Sequence, residues 1–182
     1  MTVREQWAWA GAIALVLGGG AFAAAQAMRD ELFPVSLGSE APAFAAKSLD
    51  APGVQRTLED YRGTVVLLNI WATWCTPCIV EMPTIEALHR AFKDTDLRVV
   101  AVSIDQAQTE HAIRDFVKEL GLSFEVLHDP EGDITRAYQV MGYPQTFVIG
   151  RDGVIRKIVI GATDWNSEGN RALVRQLLAE PS

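Results

Sequence analysis

The sequence TVVLLNIWATWCTPC occupies residues 64–78 and contains both cysteines of the chain, Cys75 and Cys78. Residues 64–70 form an almost continuous apolar run rich in β-branched side chains, which is typical of a strand buried on both faces of a sheet. After the second cysteine, apolar residues recur at three- and four-residue steps up to Phe92, which predicts a helix. The two cysteines are therefore expected where a buried strand meets the start of a helix.

Strand and helix patterns alternate along the rest of the chain. Residues 44–61 contain Ala-Pro-Gly at positions 51–53 between two short runs, which predicts a β-hairpin with its turn there. The alternation of strands and helices predicts an α/β fold with a central sheet. We expect further strands at residues 97–104, 124–127, 145–149 and 154–160, and helices at residues 110–120, 134–140 and 171–178.

The composition indicates one acidic globular domain with a short additional segment. The chain has 182 residues, of which 49% are hydrophobic, and a formal net charge of -7. One domain commonly takes about 150 residues, and this hydrophobic content is sufficient for a single core. An acidic chain without a cluster of Lys and Arg is not expected to bind nucleic acid, since such binding depends on basic side chains.

Residues 7–28 carry no charged side chain and are long enough to span a bilayer, which takes about 20 apolar residues. We favour an uncleaved membrane anchor; a signal peptide cleaved near Ala25 or Ala27 and a buried core helix are the alternatives. Either of the first two exports the domain to a periplasmic or other extracytoplasmic location, and the anchor would hold it at the cytoplasmic (inner) membrane. The sequence thus predicts a signal-anchor or signal peptide at residues 1–28, a linker at 29–43 and a domain at 44–182.

Cys75 and Cys78 have the spacing of a redox-active dithiol. The first N–H groups of a helix have no partner within the helix, and the helix dipole places partial positive charge there, so a thiolate at Cys75 is stabilised. Cys78 lies one turn further along, close enough to form a disulfide with Cys75. Pro77 is tolerated in the first turn because its missing N–H would have had no partner there. Trp71 and Trp74 are expected to provide apolar cover beside the sulfur atoms.

Other uses of the cysteine pair fit the sequence less well. Structural zinc needs four ligands, and the chain has two cysteines and three scattered histidines. A structural disulfide of this spacing closes almost no loop, so its entropic benefit is small. Cu(I) binding by the dithiol stays open, as does a thiol peroxidase based on Cys75, although no activating base or arginine is evident near that residue. We therefore expect thiol–disulfide exchange, with no cofactor and no metal.

Residues 69–78, Asn-Ile-Trp-Ala-Thr-Trp-Cys-Thr-Pro-Cys, resemble the active-site motif of the thioredoxin superfamily. They are most similar to the motif of the TlpA/ResA-like thiol-disulfide oxidoreductases, which are membrane-anchored extracytoplasmic proteins. The resemblance extends over residues 38–178 and includes the motifs at residues 61–63, 102–105 and 143–147. It implies a thioredoxin-like fold, with a central mixed sheet flanked by helices, an N-terminal β-hairpin and a helix–strand insert.

The resemblance also implies roles for individual residues. Cys75 matches the attacking thiol of the family and Cys78 the resolving thiol. Pro144 matches the cis-proline that packs beside the disulfide, and the backbone of Tyr143 is expected to pair with the substrate. The expected substrate-binding residues are accordingly Trp74, Pro77, Tyr143 and Pro144.

Glu81 is the third expected catalytic residue. It follows Cys78 by three residues and therefore lies on the same face of the predicted helix. Thioredoxin has a buried aspartate on the strand before its cysteines, whereas this chain has Asn69 there; ResA-like proteins carry a glutamate at the position of Glu81. A partly buried carboxylate can exchange protons near neutral pH, so Glu81 is expected to accept the proton of Cys78.

The resemblance implies a reductase of disulfides in exported proteins, such as apocytochrome c, that is recharged by a membrane thiol-electron donor. An exported thiol oxidase or disulfide donor would use the same residues in the opposite direction. A copper-binding or copper-delivery module would use the same dithiol as a metal site. Both alternatives stay open at the level of sequence, whereas a redox-inert scaffold is disfavoured by the intact pair of cysteines.

Overall fold

The structure is a computed structural model that describes residues 35–181 and, nearer the N-terminus, residues 7, 9, 15 and 17–22. The chain divides into two compact units, residues 1–34 and residues 35–182. Most of the predicted anchor at residues 7–28, and residues 29–34 of the predicted linker, lie outside the described residues. Among the residues that are described, no helix has the length and hydropathy needed to cross a bilayer.

Seven strands of the second unit form one mixed sheet in the order β2-β1-β5-β4-β3-β6-β7. β3 and β4 run parallel, as do β4 and β5, and the other neighbouring pairs are antiparallel. The mixed sheet and the hairpin of β1 and β2 confirm the predicted architecture. The strands are β1 (Ala45–Ser48), β2 (Gln55–Thr57), β3 (Val65–Trp71), β4 (Leu97–Ser103), β5 (Glu125–His128), β6 (Gln145–Ile149) and β7 (Ile155–Ile160).

Four α-helices flank this sheet, and their boundaries differ slightly from the predicted ones. The third helix ends at Ala137, earlier than predicted, and is followed by Gln139 in a left-handed conformation with φ 49°. The last helix begins three residues before its predicted start, directly after Ser167. The helices are α1 (Thr76–Ala91), α2 (Glu110–Glu119), α3 (Asp133–Ala137) and α4 (Glu168–Ala179).

β3 is the central element of the fold, and all seven of its residues are buried. Alternate side chains point to opposite faces of a strand. Leu67 and Trp71 belong to the core beneath α1, α2 and α4, whereas Leu68 and Ile70 belong to the core on the opposite face with Phe44, Tyr61 and Tyr138. Burial on both faces explains why the sequence of this strand is continuously apolar, with Asn69 as the exception.

Residues 38–41 attach to the edge strand β7. The Gly38 N–H donates to the Ile155 carbonyl and the Ile155 N–H donates to the Ser39 carbonyl, both at 2.9 Å, and Glu40 forms a bridge with Val154. The sequence assigns this stretch to the linker at residues 29–43, but in the structure the packed unit begins at Val35. Pro, Gly and Ser indicate an irregular backbone, but they do not show whether that backbone pairs with a sheet edge.

We expect Leu67→Ala to lower the free energy of unfolding by about 2–5 kcal/mol, because the variant loses buried apolar contacts and leaves a cavity beneath α1. Urea unfolding of the oxidised protein measures this difference. Leu37→Ala is the matched control, since Leu37 is exposed and its truncation should change stability by no more than about 0.5 kcal/mol. Equal effects of the two variants would contradict the placement of β3 in the core.

Candidate active site

Cys75 and Cys78 form a disulfide at the start of α1. Cys75 is the residue that precedes the first turn of the helix, and its Sγ accepts a hydrogen bond from the Cys78 N–H at 3.3 Å. Cys75 retains 5% of its surface exposed, whereas Cys78 is completely buried. Pro77 lies in the first turn, as predicted. Cys75 is therefore the more accessible of the two residues, and it lies at the positive end of the helix dipole.

Asp105 forms hydrogen bonds with the loop between β3 and the disulfide and holds it in position. Its carboxylate accepts hydrogen bonds from the Thr73 N–H at 2.9 Å and the Thr73 hydroxyl at 2.6 Å. The Ser103 hydroxyl donates to the same carboxylate at 2.7 Å, and Asp105 is almost completely buried. The sequence identified residues 102–105 as a motif but not this role. The available signal was that β3 and β4 are predicted parallel strands, so the residues that follow them meet at one edge of the sheet.

Trp74 and Tyr143 come together at this same edge. Their rings meet edge to face with centroids 5.9 Å apart, and Trp74 is 63% exposed. Tyr143 and Pro144 are joined by a cis peptide bond and directly precede β6, whose first residue pairs with Ile70 of β3. The Pro144 carbonyl accepts a hydrogen bond from the Gly161 N–H at 2.7 Å. The structure thus places all four predicted substrate-binding residues at the edge of the sheet where β3 ends.

Glu81 lies one turn after Cys78 on α1 and is only 1% exposed. Its Oε1 accepts hydrogen bonds from the Trp165 indole N–H at 2.8 Å and from the Thr163 backbone N–H at 3.1 Å. Its Oε2 accepts one from Asn69 Nδ2 at 3.2 Å. Burial raises the pKa of Glu81, and these three hydrogen bonds counteract part of that rise because they favour the charged carboxylate.

Trp165 is a contact of Glu81 that the sequence did not reveal. It is completely buried and lies in the loop before α4, 84 residues after Glu81 in the chain. No local periodicity or motif could have found the pairing, because it depends on how α1 and the loop before α4 are assembled on the sheet.

A disulfide at the junction of a central strand and a helix, within a mixed sheet flanked by helices, defines a thioredoxin-like dithiol protein. The model of the AhpC/TSA family matches residues 37–158. The chain therefore belongs to the AhpC/TSA family of thioredoxin-like proteins, and within it to the ResA-like thiol-disulfide oxidoreductases.

Individual relatives support this assignment. The chain is 42% identical over 125 residues to the thioredoxin-like protein YneN of Bacillus subtilis, covering 68% of this chain and 71% of the relative. It is 38% identical over 143 residues to the thiol-disulfide oxidoreductase ResA of Oceanobacillus iheyensis, covering 78% and 73%. A crystal structure from Chlorobium tepidum, assigned provisionally as a thiol:disulfide interchange protein DsbE, superposes with a TM-score of 0.71 at 29% identity, covering 80% of this chain and 99% of that one.

The raised pKa of Glu81 predicts how its contribution to stability depends on pH. The folded protein binds the proton of Glu81 more tightly than the unfolded chain, so this residue increasingly destabilises the fold as pH rises from the unfolded pKa through the folded one. A pKa that is higher by one in the folded protein than in the unfolded chain corresponds to a loss of about 1.4 kcal/mol in the free energy of unfolding once the carboxyl is charged in both. Glu81→Gln should therefore gain stability relative to the unaltered protein between pH 4 and pH 8, as measured by urea unfolding of the oxidised forms.

The exposed residue Glu131 gives the control for this measurement. Glu131→Gln removes a carboxylate from the surface, and its stability should differ from that of the unaltered protein by no more than about 0.5 kcal/mol. A difference for Glu81→Gln that stays constant with pH would mean that Glu81 is charged to the same extent in the folded and unfolded chains.

Proposed function

We propose that this protein is a reductase of protein disulfides, with Cys75 as the attacking thiol and Cys78 as the resolving thiol. The observation that carries the proposal is the unequal burial of the two cysteines at the start of α1. Cys75 is partly accessible and lies where the helix stabilises a thiolate, whereas Cys78 is fully buried. An external disulfide can therefore reach Cys75, and Cys78 is placed to attack only after a bond to Cys75 has formed.

The reaction proceeds by two exchanges. The Cys75 thiolate attacks a sulfur of the substrate disulfide, forming a mixed disulfide and releasing one substrate thiolate. Cys78 then loses its proton and attacks the Cys75 sulfur, which re-forms the Cys75–Cys78 disulfide and releases the second substrate thiolate. Two electrons pass from the dithiol to the substrate, whose two sulfurs end as thiols after protonation.

We assign the proton of Cys78 to Glu81. The residues share α1 and are separated by one turn, and the burial of Glu81 raises its pKa towards the range where it can take up a proton. The carboxylate receives the proton as the Cys78 thiolate forms. When the protein is reduced again, the same carboxylate can return the proton to the thiol.

The proposed docking surface is formed by the exposed Trp74 and Pro77 and the half-buried Tyr143, next to Pro144, which is buried. The exposed indole of Trp74 packs against the ring of Tyr143, and the exposed Met141 lies two residues before Tyr143 in the chain. Exposed aromatic and methionine side chains are suited to contact with apolar segments of varied proteins. This surface supports a protein substrate in preference to a small disulfide.

We further propose an extracytoplasmic location, with attachment to the cytoplasmic membrane through residues 7–28. The uncharged sequence of this segment supports the proposal, and the large apolar side chains described within it (Trp7, Trp9, Leu15, Leu17 and Phe22) are exposed. An oxidising compartment would return the dithiol to its disulfide form, so the reductase would need a membrane thiol-electron donor. Exported proteins whose cysteines must be reduced before use, such as apocytochrome c, are the proposed substrates.

Substitution of the two cysteines tests their separate roles. Cys75→Ser should abolish reduction of a protein disulfide such as that of insulin, because no attacking thiolate remains. Cys78→Ala should retain the first exchange and accumulate the mixed disulfide, which non-reducing electrophoresis detects. Normal turnover by Cys78→Ala would contradict its role as the resolving thiol.

The equilibrium reduction potential tests the direction of the reaction. Titration of the full chain in detergent against dithiothreitol or glutathione buffers should give a value close to that of thioredoxin, about -270 mV. A value near about -120 mV, as in the oxidant DsbA, would reverse the direction and identify a disulfide donor that uses the same residues.

A further inference from the structure

The two oxygens of the Glu81 carboxylate have different kinds of partner. Oε1 receives the indole N–H of Trp165 at 2.8 Å and the backbone N–H of Thr163 at 3.1 Å. Both groups can only donate, because neither nitrogen has a free lone pair with which to accept a hydrogen bond. A proton on Oε1 would therefore face two donors, and at least one of these hydrogen bonds would be lost.

Oε2 has a partner that can either donate or accept. In the structure it accepts from Asn69 Nδ2 at 3.2 Å, and the same nitrogen donates to the Thr146 hydroxyl at 2.8 Å. Asn69 Oδ1 is buried and has no hydrogen-bond partner among the described residues. If the side-chain amide of Asn69 flips, Oδ1 can accept a hydrogen bond from a protonated Oε2 of Glu81. It can also accept one from the Thr146 hydroxyl, which is able to donate as well as accept. Asn69 can thus bind both forms of Glu81.

The donor on the opposite side is held in place and polarised. The Trp165 side chain is completely buried, and its backbone N–H donates to the Thr84 hydroxyl at 3.1 Å. Lys157 Nζ lies 5.6 Å from the centroid of the Trp165 ring and donates to Asn170 Oδ1 at 2.7 Å. A cation over the face of an indole makes its N–H a stronger donor.

The groups that surround Glu81 are mostly neutral. Asn69 of β3 donates to Glu81, and Thr146 of β6 accepts a hydrogen bond from Asn69. Cys78 lies on the same face of α1 as Glu81. In the part of the chain that the structure describes, the charged side chains adjoining this network are Lys157, on the ring face of Trp165, and Asp164, which is exposed and accepts from the Asn166 N–H. The polarity of hydrogen-bond donors and acceptors therefore determines which oxygen carries the proton.

We propose that Trp165 is a positioning residue of the dithiol reaction: it fixes Oε1 of Glu81 as an acceptor, so that the proton from Cys78 is carried on Oε2, next to Asn69. In this step the S–H bond of Cys78 breaks, its electron pair stays on the sulfur, and an O–H bond forms at Oε2. The inference rests on the proposed role of Glu81 as proton acceptor, and it adds the oxygen that reacts and the residue that selects it.

Infrared spectroscopy of Trp165→Phe in the full chain tests the assignment. The carbonyl stretch of protonated Glu81, identified by its loss in Glu81→Gln, reports the oxygen that does not carry the proton. If that oxygen is Oε1, loss of the indole N–H removes one of its two donors and moves the band to higher frequency. The pH midpoint of the band should also rise by about one unit, because the charged carboxylate loses a hydrogen bond.

Two further variants separate this effect from a packing defect. Trp71→Phe removes an equally buried indole whose N–H has no partner among the described residues, and it should leave the band and its midpoint in place. Lys157→Met keeps Trp165 but removes the cation from its ring, so it should shift both in the same direction by a smaller amount. If Trp165→Phe does not fold, the shift of the band and of its midpoint in Lys157→Met tests the inference instead.

A band that does not move in Trp165→Phe, or that moves equally in Trp71→Phe, would overturn the inference. The role of Glu81 itself is measured separately, by the pH dependence with which Cys78 resolves a mixed disulfide. If Glu81→Gln left that dependence unchanged while the infrared shifts appeared as expected, the assignment of Oε2 would stand and the role of Glu81 as proton acceptor would fail.

Discussion

Burial of β3 on both faces is the constraint from which the site is built. This strand lies inside the sheet between β4 and β6, which fixes the position of its carboxyl end, and α1 starts close to that end with Cys75 at its positive pole. The parallel strand β4 brings Asp105 to the same edge, and the antiparallel strand β6 brings Pro144. Asn69 is a polar interruption in the buried strand, and it faces Glu81 on α1.

Among the residues that the structure describes, hydrogen bonds stabilise the buried carboxylate of Glu81, and no ion pair does so. Burial of a carboxylate has a large free-energy cost unless its oxygens are hydrogen-bonded. Three donors form hydrogen bonds with Glu81 here. They do not fully offset the burial, so the pKa of Glu81 remains raised. A cation in direct contact would have kept the group charged and removed its ability to take up a proton.

The features that could be predicted from the sequence are those encoded locally. The apolar run of β3, the periodicity of α1 and the turn at residues 51–53 each involve neighbouring residues, and the structure has all three. The contacts that escaped prediction join distant parts of the chain, such as the pairing of residues 38–41 with β7 and the bond from Trp165 to Glu81. These depend on the tertiary arrangement, for which periodicity carries no information.

The strand-like pairing of residues 38–41 also affects how copies of the protein can meet. A free sheet edge offers unpaired N–H and C=O groups to which a second molecule can add. β7 is one edge of this sheet, and its first residue, Ile155, is paired with Gly38 and Ser39, while the other edge, β2, is three residues long. The backbone groups of Ile155 are therefore already paired and a second copy cannot add there, whereas Trp74 and Met141 stay exposed for contact with other proteins.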